Sequence, residues 1–292
     1  EMAKKLKFPL QCIGIPKTVD NDLPYTDCSP GFGSVAKYVA TSTLEAGLDV
    51  KSMAETSTKV FILEVMGRHA GWIAAASCLA ASNQGDPPHI ILLPEVPFEK
   101  GKFIAQVKQT VKSNGYCVIV ASEGTKTKVG KFLADSGLTD AFGHKQLGGV
   151  APVISSMISK IGLKNHWAVA DYLQRSARHI ASKTDLDQAY AVGEHAVKLA
   201  VAGKTAVMPI IKRISDSPYK WKIATAPLKN IANVEKSMPR KFISKNGFEI
   251  TSAGRKYLSP LIQGEAPTNF KFGIPEVASL KKTFVKKKLK EF

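Results

Sequence analysis

The sequence predicts an α/β fold with mostly parallel sheets. Two observations carry this. Short runs at 59–65 (K-V-F-I-L-E-V), 89–93 and 116–121 are apolar almost throughout, as strands covered on both faces are. Between and after them, segments at 27–48, 70–81, 101–113 and 150–161 read as helices from their composition or the spacing of their apolar residues.

Taken in order, residues 1–6 read as the tail of a helix and 9–15 as a strand. Pro16 ends that strand, because its ring fixes φ and removes a ladder donor. The turn at 14–22, G-I-P-K-T-V-D-N-D, carries one cation, Lys17, one hydroxyl, Thr18, and two carboxylates, Asp20 and Asp22. If the chain stays extended, Thr18, Asp20 and Asp22 share one side. Two readings are open for it. Asp/Asn-rich turns commonly bond their own backbone at the surface. The same groups also suit phosphoryl transfer, which needs a base for the acceptor's proton and a fixed cation for the phosphate charge.

Pro30 and Gly31 break the chain, and Val35, Val39 and Leu44 then give a helical stripe. Met66, Gly67 and Arg68 lie where the 59–65 strand ends and the Ala-rich helix begins, the edge at which open α/β sheets bind ligands. Pro94 ends the strand at 89–93. Glu123 comes just past the 116–121 strand, as a solvated loop carboxylate or as an acceptor for sugar hydroxyls. Residues 126–149 are Gly-rich and read as an irregular excursion. A strand at 166–173 leads into Gln174 and Arg175, whose guanidinium offers a planar fork to phosphate. Thr184 and Asp187 resemble a capping box opening a helix at 185–202, which Gly203 stops. Strands at 204–211 and 220–224 are expected to complete a sheet.

The 292 residues are 44% hydrophobic, enough for a sizeable core. No apolar run approaches the ~20 residues of a membrane helix, and no signal-peptide pattern opens the chain. Cys12, Cys28, Cys78 and Cys117 are scattered without a C-x-x-C pair, which fits a reducing cytoplasm. Cys12, Cys78 and Cys117 lie in apolar surroundings and are expected to act as small hydrophobes. The net charge of +17 raises nucleic acid as a partner. Its distribution argues against this. Lys281, Lys282, Lys286, Lys287, Lys288 and Lys290 crowd the last twelve residues, and the remainder is spread without aromatic interleaving. Anionic substrates account for part of the excess.

Four ordered motifs narrow the choice: P-K-T-V-D-N-D at 16–22, M-G-R at 66–68, S-E-G at 122–124 and D-Y-L-Q-R at 171–175. Together they resemble the phosphofructokinase family, and its pyrophosphate-dependent branch in particular, over residues 1 to about 265. The segments V-E-K-S-M-P-R-K-F-I and Y-L-S-P-L-I-Q-G-E extend the likeness without suggesting a mechanism. The resemblance implies two Rossmann-like lobes with the site between them. Residues 1–30 and 165–225 would form an incomplete phosphoryl-donor lobe, 31–164 the fructose 6-phosphate lobe, and 226–292 a C-terminal extension and basic tail. It implies reversible, Mg²⁺-dependent transfer from pyrophosphate to the C1 hydroxyl of fructose 6-phosphate in a homodimer or other homo-oligomer, with no nucleic-acid or membrane partner.

By the same resemblance Asp20 is the base, and Thr18, Val19 and Asp20 border the sugar. Met66, Gly67 and Arg68 bind sugar, and Arg68 stabilises the transferring phosphoryl. Glu123 holds hydroxyls, and Tyr172, Leu173, Gln174 and Arg175 close on the sugar phosphate. Asp22 bonds near the base or seconds the metal. Lys17 stands where ATP-dependent relatives carry glycine, and favours pyrophosphate as donor. Lys59 and His166 replace two family arginines. The family's first glycine-rich phosphate loop and its G-G-D-D motif, with the expected metal ligand, would precede Glu1. A truncated, inactive chain is therefore one expectation, and an ATP-dependent enzyme another.

Overall fold

The computed structural model describes residues 2–139, 145–147, 149–284 and 286–287. A short helix α1 (Met2–Lys5) precedes an extended segment and the long helix α2 (Phe32–Met53). Then come β1 (Val60–Val65), α3 (Trp72–Ala76) with a 3-10 turn (Ser77–Ala80), β2 (Ile90–Leu92), α4 (Lys100–Asn114) and β3 (Cys117–Ser122). The strands β4 (Asp135–Thr139) and β5 (Lys145–Leu147) lead to α5 (Val150–Ser159), β6 (Asn165–Val169), α6 (Leu173–Ser176) and α7 (Lys183–Val201). A hairpin of β7 (Val207–Asp216) and β8 (Tyr219–Pro227) and the helix α8 (Ser252–Leu258) follow. The centre is a parallel sheet in the order β2-β3-β1-β6, as the alternating pattern predicts.

Alternate residues of β1 feed two cores, one on each face of the sheet. Leu63 and Val65 pack with Phe32, Val35, Val39 and the α3 residues Trp72 to Ala76. Val60 and Ile62 pack with Phe103, Val107, Ile154 and Ile158 of α4 and α5. The register pairs Val65 with Ser122 and Glu64 with Val169. The segments following β1, β3 and β6 therefore leave the sheet at one edge, which sets M-G-R, S-E-G and D-Y-L-Q-R side by side.

Two helix starts are tied together by one carboxylate. Gly31, at the start of α2, has no capping side chain of its own. Asp185, in the first turn of α7, accepts from Gly31 N at 2.8 Å, Ser34 N at 3.1 Å and Ser34 Oγ at 2.5 Å. Ser182 caps α7 and accepts from Asp185 N at 3.3 Å. This corrects the Thr184–Asp187 capping box: the cap falls two residues earlier, and Asp187 pairs with Lys183. Asp185→Ala leaves buried N–H groups without partners, at a cost of about 1–3 kcal/mol. The expected result is a lower denaturant midpoint with unchanged m-value.

Other expectations change as well. Residues 9–15 form no strand; Ile13 makes one isolated bridge to Val207, and Leu10 and Ile15 are exposed. The strands expected at 204–211 and 220–224 do not extend the parallel sheet. Only Ser217 and Pro218 separate β7 from β8, and so short a link forces antiparallel pairing. The excursion at 126–149 contains the antiparallel pair β4–β5, whose register shifts between Asp135 and Leu138; residues 140–144 and 148 lie outside the described residues. Cys12 is exposed, whereas Cys28 is buried with Cys78 and Cys117. Glu1, Lys288 and Lys290 also lie outside the described residues. Among those described, no helix is long and apolar enough to cross a membrane.

Candidate active site

The turn after Pro16 is bent, not extended. Thr18 and Asn21 hold positive φ, 147° and 57°, a conformation that costs energy outside glycine and clusters at functional sites. The bend lets Thr18 Oγ1 donate to Asp20 Oδ2 at 2.7 Å, which orients that carboxylate. Val19 packs into the core beside Gly31. Lys17 is exposed, and no partner for its ammonium is found among the described residues. Asn21 is fully buried and anchors the turn: its Oδ1 accepts from Ser29 N at 3.0 Å and its Nδ2 donates to the Tyr257 hydroxyl at 3.2 Å.

The second wall is built from M-G-R and S-E-G. Gly67 has φ 128°, and a Cβ there would meet the Ala70 carbonyl. A Cβ on Gly124 would collide with the Arg68 and Gly67 carbonyls. The two turns touch through backbone, so both glycines are needed. Ser122 Oγ donates to Gly67 O at 2.5 Å, and Gly67 N donates to Glu123 Oε1 at 3.4 Å. Burial pushes the Glu123 carboxyl above its ordinary range; the Gly67 N–H and Arg68 oppose the shift, and Asp20 adds to it. Asp20, Arg68 and Glu123 thus share one electrostatic environment.

The third wall is D-Y-L-Q-R. Gln174 is buried and works within the protein: its Nε2 donates to Asp171 O at 2.9 Å, and its Oε1 accepts from Met66 N at 3.4 Å. Tyr172, Leu173 and Arg175 are exposed, with the Arg175 guanidinium 4.3 Å from the Tyr172 ring centre. Lys59 turns back onto the Ala54 carbonyl at the end of α2, and His166 stands exposed on the edge strand β6.

Several supporting residues escaped sequence reading. Glu64 sits inside β1, yet its Oε2 accepts from Ala151 N at 2.8 Å and caps α5; burial pushes its carboxyl up. Behind the Asp20 turn Arg213 Nε meets both Asp27 oxygens at 3.0 Å, with its guanidinium over the Tyr219 and Tyr257 rings. Lys236 reaches under the same turn. A charge inside an otherwise apolar strand marks Glu64, but nothing local marks Arg213 or Lys236.

Asp22 is half-buried, and burial followed by the neighbouring Asp20 charge raises its carboxyl. Two crowded carboxylates suit a hard divalent cation that keeps waters and substrate phosphates as its other ligands. Among the described residues no group of three or more His, Cys, Asp or Glu could cage a metal alone.

The Phosphofructokinase family profile matches residues 1–200. A pyrophosphate--fructose 6-phosphate 1-phosphotransferase of Halomonas elongata is 62% identical over all of this chain, which spans 70% of that relative's length. The crystal structure of a pyrophosphate-dependent phosphofructokinase from Marinobacter aquaeolei superposes with a TM-score of 0.90 at 57% identity, over 99% of this chain and 69% of that one. One from Nitrosospira multiformis gives 0.91 at 56% identity, over 100% and 70%. The three walls, their motifs in order and these likenesses converge: the chain belongs to the phosphofructokinase family.

Proposed function

We propose that this protein transfers a phosphoryl group from pyrophosphate to the C1 hydroxyl of fructose 6-phosphate, reversibly, giving fructose 1,6-bisphosphate. The observation that carries this reading is that the charges of Asp20 and Arg68 both act on the Glu123 carboxyl, in a chain 62% identical to a relative named for that reaction. Asp20, oriented by Thr18, takes the C1 hydroxyl proton as the oxygen attacks the phosphorus and the bond to the leaving phosphate breaks. Arg68 spreads the charge on the transferring group. Glu123, with Thr18, Val19, Met66 and Gly67, receives the sugar. Tyr172, Leu173 and Arg175 close on its 6-phosphate, and Gln174 holds that loop to the M-G-R turn. Lys17 faces the donor.

Mg²⁺ is the cation this reading requires to neutralise pyrophosphate charge; Asp22 would second it, while the Asp20 carboxylate stays free as the base. Residues 31–164 would bind the sugar, and 1–30 with 165–225 the donor. Strand β6, which pairs with β1, would join the two lobes. The exposed Trp167 and Val169 on that edge strand support assembly with a second copy, and three buried free thiols support a reducing cytoplasm. The test is direct: pyrophosphate, Mg²⁺ and fructose 6-phosphate are supplied to the full natural protein, and phosphorus NMR is read for fructose 1,6-bisphosphate. Absence of that product refutes the reaction.

The pH dependence follows from Glu123. Its carboxylate form accepts sugar hydroxyls and prevails above a pKa that burial raises. The specificity constant for fructose 6-phosphate is therefore expected to fall as pH drops through that raised value, earlier than for an ordinary carboxylate. Glu123→Gln removes this limb and weakens sugar binding above the raised pKa, where the wild type carries the carboxylate; an unchanged limb in the variant assigns it elsewhere.

A further inference from the structure

Residues 235–238, E-K-S-M, belong to the segment whose role the sequence leaves open. They lie between the two walls that carry Asp20 and Arg68. Lys236 grips the catalytic turn twice. Its backbone N–H donates to Asp22 O at 2.6 Å. Its ammonium reaches Thr26 O and Asp27 O at 3.0 Å each, and Asn21 Oδ1 at 3.4 Å. An ammonium has three donors, and here each has an acceptor.

On the opposite side the same residue meets the M-G-R helix. Trp72 Nε1 donates to Lys236 O at 3.0 Å, and the ammonium lies 5.3 Å from the centre of the Trp72 ring. Two residues on, Met238 N donates to Glu95 Oε1 at 3.1 Å, the carboxylate that also accepts from Gly71 N at 3.0 Å. Trp72 and Gly71 lie within four residues of Arg68. Burial pushes the Lys236 ammonium down to about 8, against the pull of Asp27 and Asp22. A charge held at such a cost of desolvation is not a solvated surface lysine.

We propose that Lys236 is a positioning residue that holds the Asp20 turn in register with the Arg68 turn, so that the base and the phosphoryl-stabilising cation face one reacting centre. It touches neither substrate. This rests on the reaction proposed above. Misplacing a catalytic group by about 1 Å costs up to about 10²-fold in rate, whereas ground-state binding by Glu123 and Arg175 does not depend on that register.

The experiment uses Lys236→Met in the full natural enzyme, with two readouts beside wild type. Steady-state kinetics with pyrophosphate and fructose 6-phosphate are expected to show kcat lowered about 10–100-fold, with each KM raised by a smaller factor, because Lys17, Thr18 and Val19 ride on the same turn while Glu123 and Arg175 do not. Amide exchange is expected to quicken about tenfold or more at Ser29, whose N–H bonds Asn21, and at Asp27, whose N–H bonds Ile211, but not at β3 amides. Should the Met variant fail to fold, Lys236→Gln, with two donors and a shorter reach, is expected to show a smaller fall of the same kind. A folded variant with wild-type kcat, or with wild-type exchange at Ser29 and Asp27, overturns the proposal. If the wild type itself shows no pyrophosphate turnover, the reaction is refuted, and the exchange comparison alone decides whether Lys236 holds the turn.

Discussion

Asp20→Asn lowers kcat for pyrophosphate-dependent phosphorylation by roughly 10²–10⁴-fold, the contribution of a general base. The substitution is close to isosteric. Its amide oxygen still accepts from the Thr18 hydroxyl, which meets Asp20 Oδ2 at 2.7 Å. The turn itself is held from behind by the buried Asn21, so it keeps its shape. What the variant loses is the ability to take the C1 hydroxyl proton as the oxygen attacks phosphorus. The KM for fructose 6-phosphate therefore moves much less than kcat, as expected for an interaction made only in the transition state. The measurement is steady-state kinetics in both directions, with a thermal scan to confirm the fold. A variant with near-normal kcat removes Asp20 from the mechanism.

Lys17→Gly has the second largest expected effect, a fall in pyrophosphate turnover of about 10²–10³-fold, the cost of losing one preorganised electrostatic contact. The structure makes this lysine available. It follows the buried Pro16, stands exposed, and has no partner among the described residues. No structural role is lost when it is removed. Pyrophosphate leaves as free phosphate and lacks a nucleoside to anchor it, so a fixed cation near the reacting phosphates matters more than it would with ATP. The glycine variant is not expected to gain good ATP use, because removing a charge creates no contacts for adenosine. A variant with unchanged pyrophosphate kcat shows that Lys17 is only a solvated lysine in a turn.

Sequence reading reached the parallel sheet because β1 and β3 are apolar on both faces. Their ends, where Met66–Arg68 and Glu123 sit, could be read from the break in that pattern. It failed where long-range partners decide. Residues 9–15 are apolar enough for a strand, yet a strand needs neighbours, and Ile13 finds one bridge. Thr184 and Asp187 have capping-box spacing, but Asp185 is drawn to the α2 N-terminus and Ser182 takes the cap. The motif residues of the site were legible because their resemblance to the family is local in sequence. The groups behind them were not. Asp27 and Arg213 are 186 positions apart, and Lys236 lies 215 from Asn21, so no spacing rule connects them. Gln174, expected to close on the sugar phosphate with its neighbours, is directed inward, to Met66 and Asp171, and not at the surface with Arg175.

The central claim is the donor. It is tested by giving the full natural protein fructose 6-phosphate and Mg²⁺ with either pyrophosphate or ATP, and measuring kcat/KM for each donor side by side. The account predicts robust turnover with pyrophosphate and little or none with ATP. A higher kcat/KM with ATP contradicts it.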